Sequence, residues 1–236
     1  MNREIENNQV TLSGEIVSNF EFSHEVCGEG FYTAMLASER LSEQKDIIPI
    51  MVSDRIVDMG ADWTGRFVKV SGQFRSYDKH EGERNRLILS VFVREWEEWE
   101  DDGTIRQSDQ NHISIDGYIC KPPIYRETPL GREIADILLA VNRPYGKSDY
   151  IPTILWGRNA RFVSALPVGQ RLKVDGRIQS RTYIKRLSED KTEERTAYEV
   201  SVCKVEALEN QKIYLAVYTV ANATENNNKP YANKCK

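Results

Sequence analysis

Three aromatic rings and two guanidinium groups punctuate one short stretch of this sequence. It reads Asn142-Arg143-Pro144-Tyr145, then Asp149-Tyr150-Ile151-Pro152-Thr153-Ile154-Leu155-Trp156-Gly157-Arg158. Aromatic faces stack on other flat π systems and on cations, and arginine forks grip planar anions such as phosphate. Tyr150 and Trp156 are six residues apart, so on a strand both point to one face. Ile151, Ile154 and Leu155 do not follow a single register, which leaves Trp156 open to two readings, a core side chain or an exposed platform. Arg158 beside Trp156 and Arg143 beside Tyr145 favour the platform. Arg177, Arg181, Lys185 and Arg186 extend the run of cations downstream. Each of these alone reads equally well as solvated surface; the cluster is what points to a polyanion.

A weaker copy of the same stretch lies upstream at Asp46-Ile47-Ile48-Pro49-Ile50-Met51-Val52-Ser53-Asp54-Arg55, with the strand frame kept and the aromatics gone. The likeness extends outward. Asn8 to Gly14 matches Asn111 to Gly117 at an offset of 103, and Ala37/Ala140, Arg40/Arg143, Asp46/Asp149, Pro49/Pro152 and Arg55/Arg158 keep that offset. Val70-Ser71-Gly72 matches Val174-Asp175-Gly176 at 104, and Ser90-Val91 is set against Ser201-Val202 at 111, giving the second copy a hairpin longer by seven residues. A near-constant spacing of this kind marks two tandem copies of one domain. The expected units are residues 8–100, an acidic linker at 101–110, residues 111–209, and a tail at 210–236 with one apolar stretch, Ile213 to Val220, fit for an added strand.

Charge divides the copies. Residues 8–100 hold 10 Lys+Arg against 17 Asp+Glu, a net −7; residues 111–209 hold 16 against 13, a net +3. The second copy is the half suited to a phosphate backbone. The polar, acidic N-terminus is not a secretory signal, and no apolar run is long enough to span a bilayer, so a cytoplasmic protein without membrane contact is expected. Cys27, Cys120, Cys203 and Cys235 form no CxxC pair, and His24, His80 and His112 stand apart, so neither a metal site nor a cofactor is expected. No Ser/His/Asp set, Cys/His set or phosphate-binding loop is present, which argues against an enzyme.

Each copy reads as mainly β. Val10 to Gly14 alternates as a half-buried strand does; Thr33–Ala37 and Ile137–Val141 are second strands, Ile47–Val52 and Ile151–Trp156 third strands. A short helix fits Asn159 to Leu166, ended by Pro167 and Gly169. Arg171–Ile178 is a fourth strand and Ala197–Val205 a fifth, joined by a charged hairpin. The fold class is therefore all-β: two tandem OB-folds, five-stranded Greek-key barrels each with a short helix between strands three and four.

The second copy resembles the bacterial single-stranded DNA-binding proteins. The resemblance rests on Asn111-His112-Ile113…Gly117, Thr128-Pro129-Leu130-Gly131, Leu139 to Tyr145, Asp149 to Pro152, Leu155 to Ala160 and Val174 to Arg181, nearly all of 111–209 in order. It implies base stacking at four aromatic positions, which fall here on Tyr145, Tyr150, Trp156 and Tyr183. The first copy has Ser42, Ile47, Ser53 and Lys79 in those places, with Tyr77 close to the last. Phe20, Phe22, Phe31 and Tyr32 are expected to pack its barrel or form a partner face, and Trp96 and Trp99 to cap the domain or pack at an interface. The resemblance also implies assemblies of four OB-folds, here a homodimer, with single-stranded DNA as the partner in replication, recombination or repair. Members usually finish in an acidic tail ending Pro-Phe; this sequence finishes Tyr231-Ala232-Asn233-Lys234-Cys235-Lys236, so recruitment of repair enzymes by that route is not expected. The alternative is an adaptor of the replication or primosome machinery, its acidic first copy binding protein and its DNA contact incidental.

Overall fold

A computed structural model describes residues 7–81, 84–98, 110–186 and 192–209, with the side chains of 79–81, 84, 85 and 145 outside that description. The Ile213–Val220 strand, Trp99, residues 101–109 of the linker and the hairpin tip at 187–191 also lie outside it. Glu97 and Glu98 end a strand, within the bounds expected for the first copy.

The first copy contains β1 (Asn8–Ile16), β2 (Glu21–Val26), β3 (Glu29–Glu39), β4 (Lys45–Ser53), β5 (Phe67–Glu81) and β6 (Arg84–Glu98). The second contains β7 (Asn111–Ile119), β8 (Ile124–Glu127), β9 (Glu133–Asn142), β10 (Ser148–Trp156), helix α1 (Gly157–Ser164), β11 (Arg171–Arg186) and β12 (Thr192–Leu208). Five strands of each copy close a barrel. In the first, β1 pairs with β3 and β5, β3 with β4, β5 with β6, and β4 runs parallel to β6. The second repeats every pairing. Inward residues such as Leu12, Ile50, Val70 and Val91, and Ile115, Leu139, Val174 and Val200, fill the two cores.

Glycine makes closure possible. A Cβ on Gly14 would lie 2.1 Å from the carbonyl oxygen of Ala37, and one on Gly176 2.3 Å from that of Ser201. The repeated glycines thus mark where one strand's backbone presses on another's.

Three sequence expectations change. Each copy has a sixth strand, β2 or β8, hairpinned onto the barrel; both are wholly exposed and lack the inward alternation that would reveal them. Among the described residues, only the second copy has the helix. In the first, residues 54–65 form turns, because aspartates there bind backbone instead: Asp58 Oδ1 accepts from Gly60 N–H at 2.9 Å and Asp62 Oδ1 from Thr64 N–H at 3.0 Å. Val57 and Trp63 plug that barrel where Ala160 and Val163 of α1 plug the other. Finally, Ile50 pairs with Val91 as Thr153 pairs with Val200, and Gly72 with Val93 as Gly176 with Val202, so the last strands match at an offset of 109. The second hairpin is longer by five residues, not seven.

The copies join through β1 and β7, which pair antiparallel with Val10 opposite Ile113, Asn8 opposite Ile115 and Leu12 opposite Asn111. Equivalent residues thus meet around a local two-fold axis, and all twelve strands form one continuous hydrogen-bonded sheet. Two carboxylates lock the joint. Asp149 accepts from Arg143 of its own copy, and from Arg75 Nη1 (3.2 Å) and the Ser76 N–H (2.6 Å) of the other. Asp46 mirrors it, accepting from Arg40 (2.6 and 2.7 Å), Arg177 Nη1 (3.3 Å) and the Ser180 N–H (2.9 Å). Ser76 Oγ also accepts from Tyr150 N–H, and Ser180 Oγ from Ile47 N–H. Both aspartates are sealed from water, at 1 % and 0 % exposure.

Candidate nucleic-acid interface

Register fixes which side chains share the outer face of the second barrel. Cross-strand partners point to the same side of a sheet. On β10, Tyr150, Pro152, Ile154 and Trp156 share a face, and Ile154 pairs with Ser201 of β12. Ser201 pairs with Arg177 on β11, and two-residue steps then bring Gln179, Arg181, Tyr183 and Lys185 onto that same face. Tyr150 is 43 % exposed, Trp156 38 % and Tyr183 38 %.

Tyr150 and Trp156 lie about 20 Å apart along β10, six residues at roughly 3.3 Å each. Tyr183 lies at the Tyr150 end, because β11 runs opposite to β10. Tyr145 belongs to a single 3-10 turn, Pro144–Gly146, joining β9 and β10 at that end; its ring lies outside the described side chains. Ile154 is buried on this face between the exposed rings, which explains why the β10 sequence showed no clean alternation.

The cations divide into two groups. Arg181 lies over the Tyr183 ring at 5.9 Å and reaches Glu199 at 3.8 Å. Lys185 and Arg186 continue up the β11 arm, and Arg158 stands exposed in the first turn of α1. Arg143 and Arg177, expected to contact phosphate, have their guanidinium groups engaged by Asp149 and Asp46 at the joint. Burial lowers the pKa of Arg177, as does the nearby Arg40 guanidinium, with Asp46 pulling the other way.

Sequence reasoning missed Arg126, which follows from missing β8. It pairs with Ile134, places itself on the platform side and binds Asp136 at 2.8 Å. Glu199 is the carboxylate set into the face, tied to Gln179 Nε2 at 2.7 Å.

The equivalent positions of the first barrel differ. Ile47 and Ser42 are exposed but offer no ring, and Ser53 is buried, donating to Glu29 Oε1 at 2.5 Å. Trp96 packs inside its own copy, edge-on to Trp63 at 5.2 Å and tilted on Phe20 at 6.1 Å.

Residues 110–208 match the model of the single-strand binding protein family. The chain is 36 % identical over 80 residues to a single-stranded DNA-binding protein of Halalkalibacterium halodurans, covering 31 % of this chain and 48 % of that one. It is 32 % identical over 131 residues to single-stranded DNA-binding protein 2 of Listeria monocytogenes, covering 52 % and 74 %. Against relatives such as the first, the chain spans about half their length. The crystal structure of the wild-type single-stranded DNA-binding protein from Thermus aquaticus superimposes with a TM-score of 0.64 at 19 % identity, over 86 % of this chain and 93 % of that one. A deletion variant of the same protein gives 0.65 at 21 %, over 88 % and 97 %. These two structures share the tandem-barrel fold over both copies, and the sequence matches show that the chain belongs to the single-strand binding protein family.

Proposed function

We propose that this protein binds single-stranded DNA without sequence preference. Bases stack on Tyr150, Trp156, Tyr183 and Tyr145, while phosphates meet Arg181, Lys185, Arg186 and Arg158. One observation supports it above the rest: three large rings stand 38–43 % exposed on a single sheet face, bordered by cations, where folding alone would bury them. Residues 111–209 carry this binding. Residues 8–100, with Ile47 and Ser53 at the equivalent positions, chiefly serve assembly. Two chains associate to present four barrels, and the protein works in the cytoplasm, shielding strands exposed in replication, recombination or repair.

The test is a titration with dT oligomers followed by tryptophan fluorescence. Trp63 is buried and Trp156 exposed, so stacking quenches Trp156 and Trp156→Phe removes the larger part of the signal. Each stacked base is worth about 1–3 kcal/mol, so the double change Tyr150→Ala/Trp156→Ala weakens binding at least about tenfold. Unchanged affinity in that variant would overturn the assignment.

A further inference from the structure

The first barrel lacks rings where the second has them, yet its outer face is not bare. A cavity of 670 Å³ opens there, and the loop between β9 and β10 of the second copy forms its far wall. Met51, Tyr77, Phe92 and His24 line one side; Pro144 and Lys147 line the other. Register places it on the face equivalent to the platform, since Met51 pairs with Phe92 as Ile154 pairs with Ser201. The aromatic wall is braced from behind. The His24 ring stacks on Phe31 with centroids 5.0 Å apart and planes 16° apart, and Phe31 packs on Phe92 at 5.7 Å. Tyr77 and His24 keep exposed surface.

Charge sharpens the reading. The first copy carries a net −7, yet among the described residues none that lines this cavity is acidic, and Arg75, Arg143 and Lys147 all border it. Its volume lies within the range of small-ligand pockets, roughly 300–1,000 Å³. Its mouth adjoins the turn that carries Tyr145, so it continues the track laid along β10.

We propose that this cavity holds unpaired nucleobases of the same strand that crosses the second barrel, stacked against Tyr77, His24 and Phe92 with a phosphate at Lys147. The inference rests on the DNA-binding reading above and extends it: the strand passes over the Tyr145 turn onto the first copy, using rings that are not the equivalents of the second copy's.

The test uses the full chain carrying His24→Ala and Tyr77→Ala, two surface changes whose effect on folding is checked by urea unfolding. Affinity is measured for dT oligomers of about 8 and about 30 nucleotides, one fitting a single barrel and one spanning more. The longer oligomer is expected to bind at least about fivefold more weakly, with the shorter unchanged. Tyr77→Phe, which keeps the ring, restores the affinity. A 5-bromodeoxyuridine oligomer cross-links to the β5 or β6 peptides of the unaltered chain. Unchanged affinity for the longer oligomer with no such cross-link overturns this proposal, and if Tyr150→Ala/Trp156→Ala still loses binding, the second-barrel assignment stands. Failure of the unaltered chain to bind either oligomer overturns both.

Discussion

Replacing Asp149 with alanine probes how the two copies are locked. The carboxylate is 1 % exposed and accepts from the guanidiniums of Arg143 and Arg75 and from the backbone N–H of Ser76. Breaking a buried pair by removing one partner costs about 3–5 kcal/mol, because the surviving charge is left without compensation. Here Arg143 and Arg75 retain 25 % and 21 % side-chain exposure, so water recovers part of that loss. The stranded Ser76 N–H adds about 1 kcal/mol. The expected loss is therefore about 3–4 kcal/mol, read from urea unfolding and from faster amide exchange along β1 and β7. Asp46→Ala breaks the mirrored set of contacts and should fall within about 1 kcal/mol of it. The control is Glu98→Ala, which removes an ion pair to Arg66 whose side chains are both 44 % exposed; such pairs are worth about 0–1 kcal/mol. If Asp149→Ala costs no more than Glu98→Ala, the carboxylate does not lock the joint and the argument fails.

Other outcomes follow from the same geometry. Gly176→Ala forces a Cβ to within 2.3 Å of the Ser201 carbonyl, so thermal unfolding should show a loss of roughly 1–3 kcal/mol or more; a silent substitution would contradict the barrel closure. Arg181→Ala should lower the slope of log affinity against log salt by about 0.7, one phosphate's worth. Arg143→Ala should instead destabilise the fold and leave that slope alone, and the opposite pattern would reverse their assignments. Burial raises the pKa of the Cys120 thiol, which shrinks its thiolate fraction at any pH below that value. Peptide mass spectrometry after iodoacetamide at pH 8 should therefore find exposed Cys27 and Cys203 alkylated before Cys120, and equal rates would count against it. Light scattering should give a mass near twice the chain's 27.2 kDa; a monomer at micromolar concentration rules out the dimer.

The repeat made most of the architecture legible before any coordinates. The short β-branched runs at Ile47–Val52 and Ile151–Trp156, and the Gly14/Gly117 and Gly72/Gly176 pairs, report directly on strands and barrel closure. Alternation fails where a strand buries neither face, which is why β2 and β8 were missed, and with them His24 and Arg126. The repeat misled on a helix in the first copy because two aspartates there, Asp58 and Asp62, satisfy backbone groups in turns. The exposure of Trp156 was left open by sequence, since Ile154 breaks the register from which a platform would be read. The roles of Arg143 and Arg177 needed the joint itself, for a guanidinium that locks two domains and one that grips phosphate are spelled alike.

Tying both barrels into one polypeptide across the β1–β7 seam has a consequence for the ligand. In an assembly of identical folds, each substitution at the contact lands on both sides at once, and the halves stay alike. Here Val10 can change while Ile113 stays, so one half was able to become acidic and the other basic without parting. A polynucleotide lying over such a lopsided pair meets unlike chemistry at its two ends.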